Sequence, residues 1–165
     1  MKKCITIIEV ISIDGCGVLC YNKGGGGLMT VVLFGSRDAG EKVKEPLTCV
    51  LEKLIREGAT QFFVGQEGNF DRMGAWILRN LCKKYPTVRY EVVTAYLGKG
   101  AEDFPTLYPE GLERTPARFA IDARNRWMYS HADALVVYAP FPGNAKKWKE
   151  RAIRAKKTVI DLSFL

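Results

Sequence analysis

A three-layer α/β sandwich, with a mainly parallel sheet of about five strands and helices on both faces, is the fold this sequence predicts. Three observations predict it. Apolar runs of strand length alternate with longer segments of helical period from Met29 onward. Glycine-bearing turns follow several of the strands. The 165 residues suit one domain with a sizeable core, and no internal repeat or interdomain linker divides them.

The first clear strand covers residues 30–34 and runs into Gly35-Ser36-Arg37-Asp38. A helix follows over about 42–57, with Val43, Leu47, Val50, Leu51 and Leu54 on one side. Pro46 is tolerated only in a first turn, so the regular helix begins near Glu45, and Gly58 fits its end. Strand two, 61–64, leads into Gly65-Gln66-Glu67-Gly68 and a helix over about 71–84, closed by Pro86. Strand three is 88–95. Residues 96–116 form a long irregular stretch, of a length that in compact domains is often a functional lid. Tyr96, Tyr108 and Glu110 belong either to such a lid or to ordinary core and surface. An arginine-rich helix over 118–133 runs directly into strand four, 134–139. The loop Pro140-Phe141-Pro142-Gly143-Asn144, a short helix over about 145–155 and strand five, 158–162, complete the domain.

Residues 1–28 read differently. They hold three of the five cysteines and end in a run of four glycines. Lys2 and Lys3 before an apolar stretch faintly suggest a signal peptide, but Glu9 and Asp14 interrupt it and no small-residue cleavage site follows cleanly. One reading is an added hairpin, with a strand over 5–13 and a turn at Asp14-Gly15. The favoured reading is that the native chain starts at Met29. Codons for Lys23-Gly24-Gly25 can spell a ribosome-binding site, which makes residues 1–28 upstream sequence and 29–165 the domain.

A net charge of +7 favours anionic partners, from small nucleotides to nucleic acid. The basic residues are spread along the chain, so no dedicated nucleic-acid arm is indicated. One histidine, and no cysteines at zinc spacing, make a structural metal unexpected, and no cofactor is expected. The cysteines show no disulfide framework, which fits the reducing cytoplasm, and no apolar run spans a bilayer.

In open parallel sheets, ligands bind beyond the carboxyl ends of the strands. Three glycine-bearing loops fall there: Gly35-Ser36-Arg37, Gly65-Gln66-Glu67-Gly68 and Gly143-Asn144. Each opens a helix whose free N–H groups favour anions. The arginine-rich helix adds Arg118, Arg124, Asn125 and Trp127, a set of forked donors and an aromatic face suited to phosphate and base. The alternative is a solvated basic face with Trp127 in the core. Glu67 and Asp71 are the acid–base candidates, able to hold ribose hydroxyls or stabilise positive charge on a sugar. Asp71 has a plainer role open to it at the start of its helix. Asp133 and the lone His131 read as structural.

These residues resemble the SLOG superfamily of Rossmann-like domains that bind nucleotide-derived ligands. The features that carry the resemblance are the first two glycine loops with Asp71, Tyr108-Pro109-Glu110-Gly111-Leu112, Arg118-Phe119-Ala120-Ile121, Arg124-Asn125-Arg126-Trp127-Met128 and Gly143-Asn144-Ala145. They cover about residues 29–165 and look closest to the YpsA-like branch, found in bacteria and their mobile elements. More distantly the chain is similar to the Lonely Guy phosphoribohydrolases, which cleave the N-glycosidic bond of cytokinin nucleotides. Their loop Pro-Gly-Gly-x-Gly-Thr, followed by a catalytic glutamate, is here Pro142-Gly143-Asn144-Ala145-Lys146-Lys147, with Glu150 nearby. The arginine half of that site is kept; the acidic half is altered.

The resemblance implies a self-associating, stand-alone domain that binds a nucleotide or nucleotide-derived signal as a sensor or sequestering protein in bacterial or phage conflict. The alternative is a nucleotide N-glycosidase in which Arg124 grips phosphate while Glu67 or Asp71 stabilises an oxocarbenium-like transition state. The third reading is single-stranded nucleic-acid binding, since the superfamily also includes DNA processing protein A. It ranks last here because no basic-aromatic stripe is apparent.

Overall fold

The computed structural model describes residues 29–99 and 102–164, together with the backbone of residues 19–21. Among the described residues, seven strands form one sheet in the order β1-β7-β6-β2-β3-β4-β5. They are β1 (Leu19–Tyr21), β2 (Met29–Gly35), β3 (Ala59–Val64), β4 (Arg89–Val93), β5 (Thr106–Leu107), β6 (Ala134–Tyr138) and β7 (Thr158–Asp161). All pairings are parallel except that of β1 with β7. The helices are α1 (Lys44–Arg56), α2 (Asn69–Lys84), α3 (Ala120–His131) and α4 (Asn144–Arg154).

The five expected strands are the central ones, and each later strand is reached through a helical crossover, as parallel pairing requires. The two extra strands lie at the edges. β5 has two residues, too few for any alternating pattern, and it sits inside the stretch expected to be irregular. β1 falls within the N-terminal segment, whose expected hairpin lies largely outside the described residues. Helix α1 begins at Lys44, one residue before the expected start, after a 3₁₀ turn over Glu41–Val43, so Pro46 sits in its first turn. Helix α2 begins at Asn69 rather than near residue 71, which places Asp71 inside its first turn.

Alternation along β2 divides the core into two layers. Val31 and Leu33 pack with Val43, Leu47, Leu51, Phe70 and Leu78 from the α1–α2 side. Val32 and Phe34 pack with Met128, Tyr129, Trp148 and Ala152 from α3 and α4. Every residue of β6 is buried, because β2 and β7 flank it and helices cover both faces. Among the described residues, no helix is long and apolar enough to cross a membrane.

Asp133 and His131 serve the fold. The Asp133 carboxylate accepts the Thr30 N–H at 2.8 Å while its own N–H donates to the Thr30 carbonyl at 2.9 Å, pinning the end of α3 to the start of β2. His131 Nδ1 lies 2.8 Å from the Trp127 carbonyl, and its ring packs on the Trp127 indole at 4.0 Å between centroids.

Candidate functional site

The chain order places a crevice before any side chain is considered. From β2 the sheet grows one way through β3, β4 and β5, then the chain crosses back to lay β6 and β7 on the other side of β2. The loops after β2 and β6 therefore leave the sheet in opposite directions, the switch point at which open α/β sheets bind ligands. A cavity of about 340 Å³ lies there. The loops after β2, β3 and β6 and one face of α3 line it.

Each loop is held by backbone contacts. The Ser36 N–H continues the β2–β6 ladder one residue past the strand by donating to the Tyr138 carbonyl at 2.9 Å. The Asn69 N–H donates to the Arg37 carbonyl at 3.0 Å, tying the second glycine loop to the first. These approaches are close enough to require glycine. A Cβ on Gly35 would stand 2.0 Å from the Phe70 ring, and one on Gly68 would stand 2.5 Å from the Arg37 backbone. At Gly143 the demand is conformational: its φ of 156° is one that side-chain-bearing residues rarely adopt, while the space around it is open.

The second loop and α3 bring two opposite charges together. Arg124 is only 2 % exposed. Its Nη1 donates to the Val93 carbonyl at 2.7 Å and its Nε to Asn125 Oδ1 at 2.8 Å. Asp71 is also buried, and its Oδ2 accepts the Glu67 N–H at 3.0 Å. Gly65 stands between them: a Cβ there would meet Asp71 Oδ2 at 2.6 Å and Arg124 Nη1 at 3.0 Å. Among the described residues, Arg124 Nη2 makes no hydrogen bond within the protein, and Arg124 lines the cavity.

Burial dominates the ionisation of both groups. It raises the Asp71 carboxyl to about 6, with the Arg124 charge and the Glu67 N–H bond pulling the other way. Burial also lowers the Arg124 guanidinium from its ordinary range, opposed by Asp71 and Glu67. Because the folded Asp71 is harder to ionise than the unfolded one, folding favours its protonated form. The stability this gives below about pH 4 is lost as pH rises through about 6, a difference of about 3 kcal/mol. We expect urea-unfolding stability to fall across that window, and expect Asp71→Asn to remove that slope. An unchanged slope in the variant would contradict the assignment.

Most of the expected site residues converge. Gly35, Ser36, Arg37, Gly65, Glu67, Gly68, Asp71, Arg124, Asn125, Gly143 and Asn144 all line the cavity. Three others stand apart. Arg118 is exposed ahead of α3, its guanidinium 4.6 Å over the Phe119 ring. Trp127 turns to the sheet and packs edge-on against Phe63 at 5.2 Å. Gln66 points away: its Nε2 donates to the Lys99 carbonyl at 2.7 Å. Glu150 is exposed on α4 and does not line the cavity. Sequence reasoning missed the apolar part of the lining, including Ile121, Met128 and Phe141. Helical spacing gives the signal for the first two, since residues 121, 124, 125 and 128 share one face of α3.

The first turn of α4 completes the rim. Gly143 precedes it without a side-chain cap, and no acidic residue occupies the turn. Its leading N–H groups thus remain available to an anion beside Asn144 and Ala145, which line the cavity. Among the described residues, no cluster of three His, Cys, Asp or Glu is placed to hold a metal ion.

Neither a protein-family profile nor a curated protein sequence matches the chain. Solved structures do. DNA processing protein A from Streptococcus pneumoniae superposes with a TM-score of 0.60 at 16% identity, over 86% of this chain and 53% of that one. The Helicobacter pylori protein, described for its single-stranded DNA binding mode, gives a TM-score of 0.54 at 14% identity over 96% and 77%. The chain thus spans about half the length of the first of these, 53%. At such identities the likeness is one of fold: the chain has a Rossmann-like α/β fold similar to that of DNA processing protein A.

Proposed function

We propose that this domain binds a nucleotide through its phosphate in the cavity at the switch point. The observation that carries the reading is Arg124, a buried cation that lines the cavity, held by two hydrogen bonds from Nε and Nη1 while Nη2 has no hydrogen-bond partner among the described residues. Burying such a charge is costly unless something returns the energy, and a phosphate oxygen does so. The uncapped start of α4 and the Ser36 region supply further donors. The motifs quoted above support the finer reading of a YpsA-like sensor or sequestering protein, cytoplasmic and self-associating.

Single-stranded nucleic acid is the second reading, and two observations favour it. The fold neighbour from Helicobacter pylori binds single-stranded DNA. Lys146, Arg154 and Lys156 are exposed on and just after α4, the helix that starts at the cavity. Calorimetry with a panel of nucleoside phosphates and with short oligonucleotides tests both readings. A nucleotide binds with shallow salt dependence if the first holds. An oligonucleotide that binds tighter, with affinity falling steeply in salt, establishes the second. Binding to neither kind of probe would sink both.

A further inference from the structure

The cavity joins two unlike linings. One is polar and charged, with Arg37, Glu67, Asp71 and Arg124. The other is apolar, with Ile121, Met128, Ala139, Phe141 and Pro142. A phosphate has no use for the second. Phe141 is its outermost member, 71 % exposed, the highest among the described large hydrophobic residues.

A single exposed phenylalanine is ordinary. Three features set this one apart. It lines the candidate ligand cavity. Pro140 and Pro142 flank it, so the backbone carrying the ring is stiff and loses little freedom when a ligand settles on it. Its ring is also uncommitted: among the described residues no other ring or cation stacks on it, whereas exposed Trp76 packs on Phe104 and exposed Phe119 lies under Arg118. Phe141 is two residues from Gly143, which immediately precedes α4, a reach of at most about 7 Å that a ribose bridges.

We propose that Phe141 is the platform on which the base of the bound nucleotide stacks, so that the site selects base-bearing phosphates over plain sugar phosphates. The proposal rests on the nucleotide reading above. Stacking on an aromatic face is tolerant of base identity, so the site distinguishes the presence of a base better than its kind.

The test compares AMP, ribose 5-phosphate and a 5′-phosphorylated hexathymidylate on wild-type protein, Phe141→Ala and Phe141→Trp. Phe141→Ala should weaken the base-bearing probes by about tenfold to hundredfold and leave ribose 5-phosphate unchanged. Phe141→Trp should keep the affinity, and its emission should change on adding AMP but not ribose 5-phosphate. A loss on AMP identifies a free nucleotide as the source of the base, and a loss confined to the hexathymidylate identifies a strand. Equal losses on all three probes, or none, overturn the platform while leaving the phosphate site standing. Failure of wild-type protein to bind any of them overturns the nucleotide reading and this proposal together.

Discussion

Replacing Arg124 by Met should abolish phosphate binding and destabilise the fold by about 3–5 kcal/mol at pH 7. Methionine fills much of the space but donates nothing to the Val93 carbonyl or to Asn125 Oδ1, both now served at under 3 Å. The larger cost falls on Asp71. Its carboxylate already ionises with difficulty because burial outweighs the help from Arg124. Without the guanidinium, the remaining help is the Glu67 N–H and the weaker pull of the Arg37 charge. Asp71 should then stay protonated to still higher pH, so the destabilisation should shrink as the pH is lowered toward 5. Adding Asp71→Asn to Arg124→Met should recover part of the stability without restoring binding. Urea melts at pH 5 and 7, with titration of the preferred nucleotide, separate the two effects. If the double variant is as unstable as the single one, the charge coupling inferred here is wrong.

Gly35→Ala should be the most damaging of the single-methyl additions. The added carbon would stand 2.0–2.6 Å from three carbons of Phe70, whose ring is fully buried and stacked on Tyr138 at 6.0 Å. Rotating Phe70 away forces α2 off β2, already so close that a Cβ on Gly74 would meet Leu33 at 2.6 Å. The cost should exceed about 3 kcal/mol, above the usual range for overpacking, because both obstacles belong to the core. Gly65→Ala should cost less in stability but as much in function, since its methyl would displace Asp71 and Arg124, whose positions define the site. Gly40→Ala is the control. Nothing lies within 4 Å of its Cβ and its φ of −86° suits alanine. Thermal unfolding of the three variants should rank Gly35→Ala far below Gly65→Ala, and Gly40→Ala at or above wild type. A Gly35→Ala protein with wild-type stability would mean that Phe70 is freer than its burial indicates.

The central strands, α1 and α2 were legible from their own apolar periods, whereas α3 and the short α4 were legible mainly from their places between apolar strands. What escaped notice had no period to show. β5 takes its place by pairing with Val92 and Val93, a tertiary choice that two residues cannot announce. In the site, the glycine loops were readable because close approach leaves glycine behind in the sequence. Arg124 was readable as a candidate but not as a buried one, since arginine is ordinarily a surface residue. Its neighbours show why composition alone misleads: Arg126 is exposed and pairs with Asp122 one turn away, while Trp127 faces the sheet. The helical phase of α3, rather than its richness in arginine, decides which side chains face the cavity. Phe141 went unmarked because an apolar residue in a proline-flanked loop carries no motif.

The two edges of the sheet have a consequence for behaviour at high concentration. Strands that end a sheet offer unpaired amides to any neighbouring chain, and long flat ones seed intermolecular growth. Here the described edge strands are β1, of three residues, and β5, of two. Among the described residues, β1 and β5 offer a second molecule only two or three residues of backbone each, and residues 89–91 of β4, which run past β5, add one more short stretch, so these borders are poor templates for fibre growth.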